Sequence, residues 1–253
     1  MIFITGDTHG AIDLDKVTTY LDNSPKASEI DYLIVLGDFG VCFYGKPEPG
    51  TEWYYKLEAN GLLDADEKIL DKWKSFPWTT LFIDGNHENH NVLDSYPVSE
   101  WNGGKVHFLA DNVIHLMRGQ VFTIEGKTFF TMGGAESTDR AWRTPGLSWW
   151  AREMPSDQEY KEAVTNLEKN DFKVDYILTH CAPEGYICRN SVYVYNRSSN
   201  RLVSFFCHLL DGMGIEFKHW YFGHYHGDED IKGFGEEDFR FHLRYRRIEK
   251  LKE

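Results

Sequence analysis

The chain has 253 residues, with 27 Lys and Arg against 40 Asp and Glu and a formal net charge of −13. That balance repels nucleic acid and anionic membrane surfaces at long range, so a phosphate-bearing ligand requires a local positive centre. The length suits one large α/β domain over residues 1–253, and no run approaches the roughly 18 to 20 apolar residues of a membrane span.

The first apolar run, IFIT, stops at Gly6 and leads to Asp7 and His9. A second, YLIVL, stops at Gly37 before Asp38, and a third, TLFI, runs through Asp84 to Asn86, His87 and Glu88. Short runs rich in Ile, Leu, Val and Phe read as buried strands. KVHFL, VIHLM and QVFTIEGKTFFTM read as successive β segments, the last closing on itself as a hairpin at Glu125 and Gly126. PSDQEYKEAVTNLEKN places Ser156 three residues before Glu159, a capping box, and follows it with an apolar stripe of Tyr160, Ala163, Val164 and Leu167. The run DYILT then ends at His180. NRLVSFFCHLLDG carries a second helical stripe through Leu202, Phe205, Phe206, Leu209 and Leu210, and WYF stops at Gly223 before His224 and His226. Near the end, FRFHLRY alternates Phe239, Phe241, Leu243 and Tyr245 with Arg240, His242 and Arg244, the pattern of a strand buried on one face.

Strands alternating with helices imply α/β architecture. The stretches 39–55, 133–155 and 181–199, rich in Gly, Pro and aromatics, are the expected walls of a cleft, and residues 39–78 and 181–199 are long enough to serve as lids. Cys42, Cys181, Cys188 and Cys207 show no C-x-x-C pairing, and the opening MIFITGD lacks the succession of a signal peptide. Reduced thiols in a cytoplasm are therefore expected.

In open α/β sheets ligands bind beyond the carboxyl ends of strands, so five polar strand ends are expected to converge on one crevice. Residues i and i+2 of an extended segment point the same way, which lets Asp7 and His9 grip one ion, and His224 and His226 likewise. Two carboxylates, one amide oxygen and four imidazoles suit two divalent ions, and mixed nitrogen and oxygen donors favour Mn, Fe, Zn, Ni or Co over Ca or Mg.

GDTHG, GDFG, GNHE, TH and GHYH, in that order over residues 6–226, resemble the five blocks of the calcineurin-like metallophosphoesterases. The resemblance implies a two-sheet β-sandwich flanked by helices, four layers in the order αββα, around a dinuclear centre that uses Mn or Fe. It implies Asp7, His9 and His226 on one ion, Asn86, His180 and His224 on the other, and Asp38 bridging them. The reaction implied is hydrolysis of a phosphate ester, mono- or diester, and the net charge of −13 favours a small soluble or nucleotide substrate. A hydroxide shared by the ions would attack, and His87, if cationic, would protonate the leaving oxygen. Four positive charges against two carboxylates leave roughly +2 to hold a phosphoryl group, so the acidic surface is no objection.

One block departs from the family. Many members continue GDxxDRG, whereas here GDFGVCF puts Val41 and Cys42 where the acid and arginine stand, which weakens the phosphoprotein phosphatase subtype. Asn86, besides its place on an ion, is a candidate to bind substrate, as are Arg140 and Arg143 beyond another strand end at Met132, the two arginines in place of the missing one. Competing readings are a nuclease using the same centre, which a net charge of −13 disfavours, and a metal-binding scaffold without turnover, which would have no need of His87. His90, His107, His115, His208, His219 and His242, the Trp149–Trp150 pair, and the basic set of Arg240, Arg244, Arg246, Arg247 and Lys250 read as structural or solvated. No membrane contact is expected, and the sequence says nothing of protein partners.

Overall fold

The computed structural model describes residues 1–195, 200–233, 235 and 237–253. Its strands run in chain order as β1 (Ile2–Thr5), β2 (Tyr32–Leu36), β3 (Thr79–Ile83), β4 (Val98–Trp101), β5 (Gly104–Ala110) and β6 (Val113–Leu116). They continue as β7 (Gln120–Ile124), β8 (Lys127–Met132), β9 (Tyr176–Thr179), β10 (His219–Phe222), β11 (Glu229–Lys232), β12 (Phe239–Leu243) and β13 (Glu249–Lys250). The helices are α1 (Asp15–Asn23), α2 (Glu52–Ala59), α3 (Ala65–Lys74), α4 (His90–Leu93), α5 (Asp157–Glu168), α6 (Glu184–Ile187) and α7 (Arg201–Asp211).

The strands form a seven-stranded sheet, ordered β13-β1-β2-β3-β6-β5-β4, and a six-stranded sheet, ordered β11-β12-β10-β9-β8-β7. In the first, β1, β2, β3 and β6 are parallel; in the second, β8, β9, β10 and β12 are parallel. Antiparallel strands close both edges of each sheet. The expected hairpin joins β7 to β8, with Glu125 and Gly126 both at positive φ.

Side-chain alternation decides the layers. Ile2, Ile4, Ile34, Leu36, Leu81 and Ile83 face Phe122, Phe129, Tyr176, Leu178 and Tyr221 of the other sheet, forming the inner core. Their neighbours Phe3, Leu33, Val35 and Phe82 turn outward onto Val17 of α1 and Ile69 and Trp73 of α3. On the second sheet Phe130, Ile177, Trp220 and Phe222 turn outward onto Tyr160, Ala163 and Leu167 of α5 and Phe206 and Leu209 of α7. The result is the four-layer αββα sandwich, whose strands read as continuous apolar runs because both faces are covered.

Details of the helices and edges differ from the sequence reading. Helix α5 has the capping box of Ser156 and Glu159, but Val164 lies at its border rather than in the core. Helix α7 buries Leu202, Val203, Phe206 and Leu209, leaving Phe205 and Leu210 half covered. Strand β12 is a correction: it lies between β11 and β10, so His242 and Arg244 are as buried as Phe241, and Phe239 at its start is exposed. Arg244 is therefore no solvated cation. Its guanidinium is held by Asp230 and Glu249, and His242 Nδ1 donates to Asp230 Oδ1 at 2.8 Å. Among the described residues no helix is long and apolar enough to cross a membrane.

Candidate metal centre

Each expected ligand sits just beyond the carboxyl end of a parallel strand. Asp7 and His9 follow β1, Asp38 follows β2, Asn86 and His87 follow β3, His180 follows β9, and His224 and His226 follow β10. The sandwich brings the ends from both sheets together, which Asp7 demonstrates by accepting the backbone N–H of His224 at 3.1 Å. Across the first sheet, Asp38 Oδ1 accepts the backbone N–H of His87 at 2.7 Å, and the Asp38 carbonyl accepts that of His9 at 2.7 Å.

The glycines before these residues are there for space. A Cβ on Gly85 would run into Asp38 Oδ1, one on Gly37 into the His180 ring, and one on Gly223 into Asp7 Oδ1. The turns are also strained: His9, Asp38, His224 and His226 all hold positive φ, between 43° and 69°. Such conformations cost energy in ordinary side chains and persist only where surrounding contacts fix them.

Ligand atoms of Asp7, His9 and His226 lie within 4.8 Å of one another, as do those of Asp38, His180 and His224, so each group could hold an ion. His224 and His226 divide between the groups instead of gripping one ion, because their positive φ breaks the extended spacing. Asp38 Oδ2 stands between the groups, 3.4 Å from His9 Nε2 and 3.3 Å from His180 Nε2. Asn86 joins the second group, its Oδ1 lying 3.2 Å from His180 Nε2.

Supporting hydrogen bonds aim these donors. His180 Nδ1–H donates to the Leu36 carbonyl at 2.7 Å, and His9 Nδ1–H donates to Asp13 Oδ2 at 2.8 Å, so both rings present Nε2 to the centre. The Asn86 amide donates to Ser137 Oγ at 3.1 Å, and Ser137 Oγ donates to buried Glu153 at 2.6 Å. That chain fixes the amide with its oxygen inward. Lys16 crosses beneath β1, donating to the Asp7 carbonyl at 2.6 Å and to the Gly6 and Tyr245 carbonyls. Buried Glu88 accepts from the backbone of Phe39 at 2.6 Å and Gly40 at 3.3 Å, bracing the turn that carries Asp38.

Burial alone would raise the Asp7 and Asp38 carboxyls, but the facing imidazoles outweigh it and hold both below the usual carboxylate range. Burial likewise opposes charge on His9 and His180, yet these carboxylates lift them to about 9 and about 10. Burial and the neighbouring His180 push His224 down to about 4. The centre thus holds carboxylates that remain ionised and two imidazoles, His9 and His180, that carry charge in the metal-free protein, while His224 is neutral.

His87 has a different neighbour. Arg143 brings Nη1 to 3.1 Å from its Nδ1 and Nη2 to 3.2 Å from its Nε2. Burial and this guanidinium lower the His87 pKa against the pull of Asp38, which favours the neutral ring over the cationic one expected from sequence. Arg140 stands further out, over the Trp149 ring, and lines a hollow with Ser137, Thr138, Tyr193, His224 and His226. The stretches 39–55, 133–155 and 181–199 do supply cleft walls, although 196–199 lie outside the described residues. Trp150 is packing, edge-on to Phe43, and His90 is buried outside both ligand groups.

Sequence reasoning did not single out Asp13, Lys16, Ser137 or Glu153. Asp13 follows His9 by four residues, a spacing that a turn after a strand brings back beside the ring. Glu153 carried no local signal, since it reaches Asn86 only through Ser137.

A lariat debranching enzyme from Schizosaccharomyces pombe is 25% identical over 185 residues, covering 72% of this chain and 36% of its own length. The chain therefore spans about a third of that relative. A solved structure with 12% identity overlays on 96% of this chain and 88% of its own at a TM-score of 0.45. Another, a hypothetical protein from Thermus thermophilus, has 16% identity and a TM-score of 0.40 over 96% of this chain and 74% of its own. The model of the calcineurin-like phosphoesterases matches residues 1–228, which takes in all five strand ends that meet at the centre, and the chain belongs to that family.

Proposed function

We propose that this protein is a dinuclear-metal-dependent hydrolase of phosphate esters acting on small soluble or nucleotide substrates. The observation that carries this reading is the position of Asp38, whose Oδ2 is 3.4 Å from His9 Nε2 and 3.3 Å from His180 Nε2 and so reaches both ligand groups. Asp7, His9 and His226 would hold one divalent ion, Asn86, His180 and His224 the second, and Asp38 both. The residues fit such a pair: three donor side chains are turned inward by Leu36, Asp13 and Ser137, and the donor set of nitrogen and oxygen suits Mn or Fe, with Zn, Ni or Co as alternatives. When bound, two such ions supply positive charge for the phosphoryl group and activate water for in-line attack.

The chain's own residues do the rest. Arg143 places a guanidinium beside His87, where it can grip a phosphoryl oxygen in the role that the GDFGVCF block leaves unfilled. In its protonated form His87 lies where it can give a proton to the leaving oxygen, and the tightly braced turns keep the donors in place without rearrangement. Arg140 lines the approach on the His224 and His226 side. A nuclease remains the second reading within this chemistry, but the charge of −13 disfavours a polyanion. A silent scaffold has less support, because it would have no need of the guanidinium that Arg143 sets against the His87 ring.

Two measurements test the reading. Mn²⁺ titration followed by electron paramagnetic resonance should show two ions per chain with a spin-coupled signal, and Asp38→Asn should lose the coupling. Alanine at Arg140 and Arg143 together should raise KM or lower kcat for a phosphate ester; unchanged constants would remove the arginines from the substrate site.

A further inference from the structure

A second hollow opens on the centre, and its chemistry is unlike the first. It has a volume of about 180 Å³ and is lined by Ile12, Phe43, Tyr44, Leu62 and Ile69, with His9 and His87 at its inner end. Among the described residues, no Lys, Arg, Asp or Glu side chain lines it. The larger hollow, about 630 Å³, carries Glu136, Arg140, Glu184 and Asn200 instead and meets the centre at His224 and His226.

The backbone of the apolar hollow offers few free donors. Gly10 donates to the Phe39 carbonyl at 3.0 Å, Ile12 to the His9 carbonyl at 3.2 Å, and Gly40 to Glu88 at 3.3 Å. Tyr44 and Gly45 donate to Asp66 at 3.0 and 2.8 Å. An occupant would therefore be selected by shape and apolar contact rather than by hydrogen bonds. Ile12 stands 79% exposed at the mouth, a large aliphatic surface that an apolar occupant would cover. The volume is that of one flat ring: an apolar cavity of about 150 Å³ lined by Leu, Ile and Phe takes up benzene.

We propose that this hollow is the leaving-group subsite, and that the preferred ester carries an alcohol with a flat, uncharged ring. The inference rests on the phosphoesterase reading above. It follows from position, because the residue placed to protonate the leaving oxygen, His87, forms the inner wall of the hollow. The departing oxygen would thus emerge on the apolar side, with the ring it bears between Phe43 and Leu62.

Calorimetry of benzylphosphonate against methylphosphonate on the Mn²⁺-loaded protein reads the subsite without turnover. Benzylphosphonate should bind about tenfold tighter or more, the scale that burying one ring provides. Ala65→Phe, which fills the hollow, and Leu62→Asn, which makes a half-buried wall position polar, should each shrink that ratio. In turnover, kcat/KM should favour benzyl phosphate over methyl phosphate by a similar factor, since the two alcohols are nearly equal in acidity. Equal affinities in the wild type overturn the subsite, as does a preference that both variants leave untouched. Failure of both phosphonates to bind overturns it together with the phosphoesterase reading. A binding preference that the variants abolish, with neither ester hydrolysed, supports ring binding in the hollow and overturns the hydrolase, and with it the leaving-group role.

Discussion

Arg143 lies against His87, with its two terminal nitrogens 3.1 and 3.2 Å from the two ring nitrogens. A guanidinium can donate only to an unprotonated ring nitrogen, so the contact favours neutral imidazole. Removing it with Arg143→Ala should raise the His87 pKa. The alkaline limb of kcat/KM for an ester with a poor leaving group should then move to higher pH, even as the rate falls. A limb that stays in place would show that Arg143 does not set the protonation of His87.

Asp13 acts on the centre through His9, accepting Nδ1–H at 2.8 Å while also accepting from Tyr245 Oη at 3.1 Å. Partners of this kind typically contribute 10- to 100-fold in metal affinity. Asp13→Asn should weaken one of two Mn²⁺ sites by about that factor and leave the other within a few-fold, as measured by calorimetric titration. Uniform weakening of both sites would point to general disruption instead.

Gly85→Ala tests how tightly the turns are built. Its Cβ would collide with the Asp38 backbone nitrogen and with Asp38 Oδ1, which cannot move away without breaking its contact to His87. Overpacking of this kind costs about 1 to 3 kcal/mol. Urea unfolding of the metal-free protein should show that loss, and Mn²⁺ stoichiometry should fall. Full stability and two bound ions would contradict the crowding described at Asp38.

Proton linkage gives a fourth prediction. His9 and His180 have folded-state pKa values raised to about 9 and about 10 from an ordinary 6.5. Raised values stabilise the metal-free fold fully below about 6.5, and that contribution is lost as pH rises through about 9 to 10. Ligation requires neutral imidazole, so metal must displace these protons and apparent affinity should rise with pH across the same window. Calorimetry of Mn²⁺ binding at pH 7 in buffers of different ionisation enthalpy should report net proton release. Zero release would contradict the charged state of these rings.

Much of this architecture was legible in the sequence because the same physics wrote both. Strands covered on both faces must be apolar throughout, so β1, β2, β3, β9 and β10 stood out, and the polar residues that end them stood out by contrast. The edge strands β4, β11 and β13 did not, being short and mixed in composition, and β13 pairs with β1 at the far end of the chain. Arg244 shows the limit of period-two reasoning. Its alternation with Leu243 suggested an exposed position, whereas Asp230 and Glu249, on strands either side in sequence, make its burial tolerable. The ligands were legible by type and order. Their supports were not, because Glu153, Ser137 and Asn86 meet only in three dimensions, as do Asp84, just past β3, and Arg118, which are paired at 2.8 Å.

The most direct test of the central claim is the Mn²⁺-dependent rate on p-nitrophenyl phosphate and bis(p-nitrophenyl) phosphate, with Asp38→Asn as the control. The proposed function predicts hydrolysis of at least one ester that chelator abolishes, Mn²⁺ restores and Asp38→Asn lacks. Protein shown to carry two Mn²⁺ ions yet inert towards both esters, or an Asp38→Asn variant as active as the wild type, would contradict it.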